Sequence, residues 1–212
     1  MNIISSLKRA GFALILFAVV YAPAFAIVAW LHPSVQITIP LIIIVSAGLG
    51  VLFMVFLART KGIAEFGVAK SPKSYVIAAT LAGIVLGGAL AYLAARYPAP
   101  SPLDVSKLPP WMIFVYFVLA APIQEELIFR GLLQTTMARA VSVPGGFWAV
   151  HFPVVFVASL FGVIHLGSGI IVAASAVLLG LIAGELRRLS GSLGPAILFH
   201  ALLNAASALR PA

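Results

Sequence analysis

Apolar residues fall in runs of about 20 along nearly the whole chain, separated by short clusters of Pro, Gly, Ser, Lys and Arg. A run of that length crosses the ~30 Å hydrocarbon core of a bilayer as one helix. The first extends from Ala10 to Leu31 behind Lys8-Arg9. It resembles a signal peptide, and Ala24-Phe25-Ala26 supplies a small-x-small pattern, yet the apolar stretch continues to Leu31 and is long enough to span. The favoured reading is an uncleaved first transmembrane helix, kinked at Pro23.

The turn His32-Pro33-Ser34 leads to a second run over 35–58. A loop with Arg59, Lys61, Lys70 and Lys73 against Glu65 alone precedes the third, over 75–95, where Gly83-x-x-x-Gly87 permits close helix approach. The 97–110 connection is rich in proline, and Ser101-Pro102-Leu103-Asp104 reads as a turn or the cap of a short surface helix. The fourth run starts near Trp111 and ends near Gln134; Pro144-Gly145-Gly146 then breaks the helix. The fifth closes on Phe161-Gly162-Val163-Ile164-His165, before Gly167-Ser168-Gly169. The sixth covers 170–186 and contains Gly180-x-x-x-Gly184. A 191–194 turn and Pro195 open the seventh, which carries His200 and Asn204 before Arg210.

With 63% hydrophobic and 8% charged residues among 212, and a mean hydropathy of +1.17, the chain has the composition of a polytopic helical membrane protein. The fold class is all-α, a bundle of about seven transmembrane helices, or eight with an extra re-entrant or interfacial one. Residues 1–212 form a single integral-membrane domain. The net charge of +8 does not indicate nucleic acid, because the basic residues sit at the ends of apolar runs, where they set topology and meet anionic lipid. Lys8, Arg9, Arg59, Lys61, Lys70, Lys73, Arg139, Arg187 and Arg188 fall on one side, against Arg96, Lys107 and Arg210 on the other. That asymmetry predicts a cytoplasmic N-terminus in a plasma (inner) membrane, with the C-terminus outside. The absence of cysteine excludes disulfides, thiolate metal sites and a cysteine nucleophile.

Against this apolar background, Pro122-Ile-Gln-Glu125-Glu126-Leu-Ile-Phe-Arg130-Gly131 stands out, since it holds two of the five acidic residues in the chain. Charges at bilayer depth cost a few kcal/mol on insertion scales, so they mark function by default. On a helix Glu126 and Arg130 are i and i+4, in the favourable order for an ion pair. Glu125 lies about 100° round the helix and has no partner in its own segment. Both glutamates lining a wet crevice or holding helices together is the plainer alternative. His200 and Asn204 share one face of the last span, and Phe161 and His165 one face of the fifth. Each pair alone is explained as interhelical glue or an interfacial histidine. His32 and His151 sit at run boundaries beside prolines and are assigned no role.

Together, Glu125, His165, His200 and Asn204 are what water activation and oxyanion stabilisation require. Glu125, His165 and His200 are equally a zinc set with an open position, and spacing does not separate the two chemistries. At 1.5 Å per residue, His200 and Glu125 reach similar depths. His165 joins them if the fifth helix begins at Pro153 and the glycine-lined connection after it is sunk into the protein.

At these residues the sequence resembles the CAAX protease and bacteriocin-processing (CPBP, ABI) family of intramembrane endopeptidases. The motif E-E-x-x-x-R is matched by Glu125-Glu126-Leu-Ile-Phe-Arg130, F-x-x-x-H by Phe161-Gly-Val-Ile-His165, and H-x-x-x-N by His200-Ala-Leu-Leu-Asn204. The three motifs occur in order on apolar helices and place the catalytic part in 110–208. The resemblance implies that Glu125 and His165 activate the attacking water, that His200 and Asn204 stabilise the oxyanion, and that Glu126, Arg130 and Phe161 support the site. It implies a metal-independent glutamate mechanism with no cofactor, and a membrane-associated protein or peptide as substrate. No feature tied to prenyl recognition is present, so the substrate stays open. The competing readings are a non-proteolytic membrane scaffold or bacteriocin-immunity protein of the same family, and a small transporter with a proton-carrying glutamate; the last leaves the histidines unexplained.

Overall fold

The computed structural model describes residues 3–59, 62–96, 108–139 and 147–208. Their regular structure is entirely helical: α1 (Ile3–Leu31), α2 (Val35–Leu57), α3 (Lys73–Arg96), α4 (Pro110–Arg139), α5 (Phe147–Ile164), α6 (Ile170–Ser190) and α7 (Gly194–Ala208), with short 3₁₀ turns at Ile63–Phe66 and Leu166–Ser168. The seven expected spans correspond to these seven helices. Five are long and apolar enough to cross a membrane: α1 over Ala10–Leu31, α2, α3 over Lys73–Leu93, α4 and α6. The 15 residues of α7 reach only about 22 Å at 1.5 Å each. The expected turn or cap at Ser101–Asp104 and the Pro144-Gly145-Gly146 break lie outside the described residues.

Burial is inverted relative to a water-soluble protein. Trp30, Ile44, Val85 and Ile170 are exposed, whereas Glu126 and Arg130 have no exposure at all. Apolar faces turned outward are stable only against lipid, and the polar groups are gathered inside. The chain is therefore an integral membrane protein.

α4 is the central element and touches α1, α2, α5, α6 and α7. Around it α1 lies along α2, α3 along α7, and α5 along α6. α4 is not uniformly α-helical: Phe114–Ala120 and Leu127–Gln134 are π-helical, flanking an α-helical turn at Ala121–Glu126. The second π stretch is almost wholly buried, with Ile128, Phe129, Leu132 and Leu133 in the core.

Small residues set the interhelical distances. A Cβ at Gly83 would lie 2.8 Å from Leu202 Cβ and 3.3 Å from the Phe199 carbonyl, and one at Gly87 would lie 3.0 Å from Ala206 Cβ. The Gly83-x-x-x-Gly87 face is thus the seat of α7. Gly180 and Gly184 do the same on α6, where added Cβ atoms would fall 2.9 Å from Ala158 and 2.7 Å from Val154 on α5.

Two expectations are corrected. α5 begins at Phe147, so Pro153 lies inside the helix rather than at its start. The helix continues through Pro153, which forfeits one main-chain donor there but leaves the turns on either side helical. The connection after His165 is also not sunk into the protein: Leu166, Gly167 and Ile170 are exposed. A tight 3₁₀ turn ending at Gly169, at φ +102°, joins α5 to α6 at the edge of the bundle.

The basic loop folds inward. Arg139 makes a two-pronged ion pair with Glu65 (2.9 and 2.5 Å) and stacks over buried Phe66. Arg187 Nη2 donates to the Glu65 carbonyl (2.6 Å), and Leu193 N to the Gly67 carbonyl (2.9 Å). Gly67, at φ +87°, is pressed against the Arg187 guanidinium, where a side chain would collide.

The packing predicts that Gly83→Val destabilises the protein by about 1–3 kcal/mol, the usual cost of overpacking. Gly88→Val, on the same helix with no atom near its Cβ position, leaves the melting temperature unchanged. Equal melting temperatures for both variants in one detergent would refute this account of the α3–α7 contact.

Candidate active site

The site is assembled from α4, α5 and α7. Glu126 Oε1 lies 3.0 Å from Arg130 Nη1 and 2.9 Å from His200 Nδ1. All three side chains are buried, at 0%, 0% and 3% exposure. The i, i+4 pair expected from the sequence is therefore present, and His200 of α7 joins it. A carboxylate only accepts, so Nδ1 of His200 carries a proton and donates it to Glu126.

The opposite nitrogen, His200 Nε2, lies 3.5 Å from Glu125 Oε2. Glu125 retains 19% exposure, while its neighbour has none. The adjacent carboxylates thus differ in the sense expected: one is locked to an arginine, and the other faces an imidazole and stays partly exposed. One imidazole bridges both.

Phe161 ties the histidines together. Its ring centroid lies 4.6 Å from that of His165 and 5.8 Å from that of His200, and the Arg130 guanidinium stacks 4.8 Å from it on another side. His165 Nδ1 donates to the Phe161 carbonyl at 2.7 Å, one of the last-turn acceptors that a helix leaves open. Because a carbonyl only accepts, the Nδ1–H tautomer follows for neutral His165, and Nε2 keeps its lone pair. Glu125 lies in the electrostatic field of His165, His200, Glu126 and Arg130. Asn204, one turn beyond His200, donates from Nδ2 to the Phe117 carbonyl of α4 at 2.8 Å.

Further polar contacts escaped the sequence reading. Gln124, next to Glu125, donates from Nε2 to the Tyr21 hydroxyl of α1 at 2.8 Å, with both side chains buried. A glutamine in an apolar run was the available signal; nothing in the first span singled out Tyr21. His151, given no role, pairs with Glu185 at 2.6 Å, and Glu185 also binds Arg188.

Paired charges on inward faces, two histidines and a partly exposed carboxylate form one polar cluster within a helical membrane protein. The narrower assignment comes from comparison with known families. Residues 107–206 match the family model described as type II CAAX prenyl endopeptidase, Rce1-like, and so bear out the resemblance to the CAAX protease family. No curated protein and no solved structure matches the chain.

The geometry predicts opposite stability effects for the two glutamates. Glu126→Gln leaves Arg130 without its counter-charge and costs about 3–5 kcal/mol, as expected when one partner of a buried pair is removed. Glu125→Gln leaves the melting temperature unchanged or slightly raised. Thermal unfolding of both variants in one detergent checks this, and equal losses would contradict the division of labour.

Proposed function

We propose that this protein is an intramembrane endopeptidase that hydrolyses peptide bonds of membrane-associated substrates with a glutamate-activated water. The observation that carries the reading is the His200 bridge, with Nδ1 on the buried Glu126 and Nε2 facing the accessible Glu125.

In this mechanism Glu125 takes a proton from a water molecule held also by the Nε2 lone pair of His165. The water oxygen attacks the scissile carbonyl carbon, and the carbonyl π electrons move onto its oxygen. Since Nδ1 of His200 is committed to Glu126, Nε2 can donate to that oxyanion only when the ring is an imidazolium. Two carboxylates, Arg130 and an imidazolium sum to zero charge, a balance that suits a buried cluster. Collapse of the intermediate expels the amine, which takes the proton back from Glu125.

The donor set supports the metal-free version over zinc. Among the described residues no three His, Asp or Glu side chains are gathered closely enough to hold one ion. The scaffold or immunity reading keeps the same contacts but gives Glu125 no task.

In a peptide-library assay in detergent, Glu125→Gln is expected to lose at least about 100-fold in turnover, the usual contribution of a general base. Cleavage by the parent protein is expected to persist in chelator. Parental activity in Glu125→Gln would sink the mechanism, and activity lost with a stoichiometric metal and restored with it would favour zinc.

The basic end of the bundle is proposed to face the cytoplasm of a plasma membrane, on the strength of its Lys and Arg excess. Lys70 is exposed there. Lys70→Cys in this cysteine-free chain should resist a membrane-impermeant thiol reagent in intact cells and react after lysis. Equal labelling in both would reverse the orientation.

A further inference from the structure

The bond between Asn204 and α4 has a specific origin in the main chain. In the π-helical stretch before the glutamates, Ala121 N donates to the Tyr116 carbonyl, five residues back. The next donor in that register belongs to residue 122, and its acceptor is the Phe117 carbonyl. Residue 122 is proline and has no N–H. The α-register donor for Phe117 is Ala121, already engaged at Tyr116. The Phe117 carbonyl therefore lacks a donor within α4, and Asn204 Nδ2 reaches it from α7 at 2.8 Å. The acceptor is a carbonyl, which fixes the amide orientation, since only the NH₂ end of asparagine can donate.

We propose that Asn204 is a positioning residue that replaces the main-chain donor deleted at Pro122, pinning α7 to the π turn of α4 so that His200 stays in register with Glu125. The inference rests on the proteolytic reading for its effect on rate, but the bond itself does not. Asn204 and His200 are one turn apart on α7, and their partners Phe117 and Glu126 both lie on α4. Two bonds a turn apart fix both the sliding and the rotation of α7 against α4. With the Asn204 bond gone, a part-buried carbonyl is left unpaired and the 3.5 Å approach of His200 to Glu125 loses its outer anchor. In this role one of the two amide hydrogens of Asn204 is spent on the helix.

The test is a double-mutant cycle between Asn204→Ala and Pro122→Ala, reading melting temperature and kcat/KM in one detergent. Alanine at 122 restores a main-chain donor. Whether the helix keeps the π register or relaxes to α, the Phe117 carbonyl is then satisfied from within α4. Asn204→Ala in the parent is expected to lower the melting temperature by several degrees and kcat/KM at least tenfold. In the Pro122→Ala background the same change should cost less than threefold in rate and leave melting almost unaltered. Asn204→Leu, which keeps the size but carries no donor, should match Asn204→Ala in the parent. Equal losses in both backgrounds would overturn the proposal. Coupling in melting without coupling in rate would overturn the positioning role and return Asn204 to the oxyanion. If no peptide is cleaved even by the parent, the proteolytic reading fails while the melting cycle still decides the bond.

Discussion

A fully buried arginine is the constraint from which the rest of the bundle follows. Arg130 has no exposure, and its guanidinium is answered by one carboxylate, Glu126, and by the faces of Phe129 and Phe161. Both partners ride on α4, so the helix is held about its axis by what meets the pair from outside, the Phe161 ring of α5 and His200 of α7. α6 must also leave room. A Cβ at Gly180 would lie 3.2 Å from Arg130 Nη2 and 2.9 Å from Ala158, so the glycine admits both the guanidinium and α5. Because the same Glu126 oxygen also receives His200, the depth of α7 is tied to the arginine as well.

Much of this was legible in the chain, for reasons that differ by residue. Helix number follows from run length, because a bilayer imposes one scale on every span. The Glu126–Arg130 pair follows from i, i+4 spacing, a local property that survives even though Leu127–Gln134 is π-helical. The approach of His200 to Glu125 was suggested by motif resemblance and by matching depth, not by spacing, and the bond from His200 to Glu126 was not foreseen.

What stayed hidden depends on contacts that periodicity does not encode. A helix that is apolar on nearly every side has no stripe to show where its bonding shifts from α to π, so the two π stretches of α4 left no trace. The start of α5 was misplaced because the first-turn preference of proline was applied to a proline that lies inside the helix. The inward fold of the basic loop could not be read from its charge, since Glu65 is held by Arg139 and Arg187 from distant helices. Tyr21 shows the same limit, as only its meeting with Gln124 distinguishes it from any tyrosine in a span.

The order of the two glutamates carries the last step. A carboxylate paired with a guanidinium is occupied by it. With Arg130 four residues after Glu126, the arginine takes that carboxylate and leaves Glu125, about 100° round the helix, on the partly exposed side. Moving the arginine one residue earlier would direct it toward Glu125, the proposed base. The buried pair is thus more than an anchor. By absorbing the guanidinium and one nitrogen of His200, Glu126 leaves its neighbour facing a single imidazole nitrogen, the arrangement in which a carboxylate can take a proton from water and give it up again.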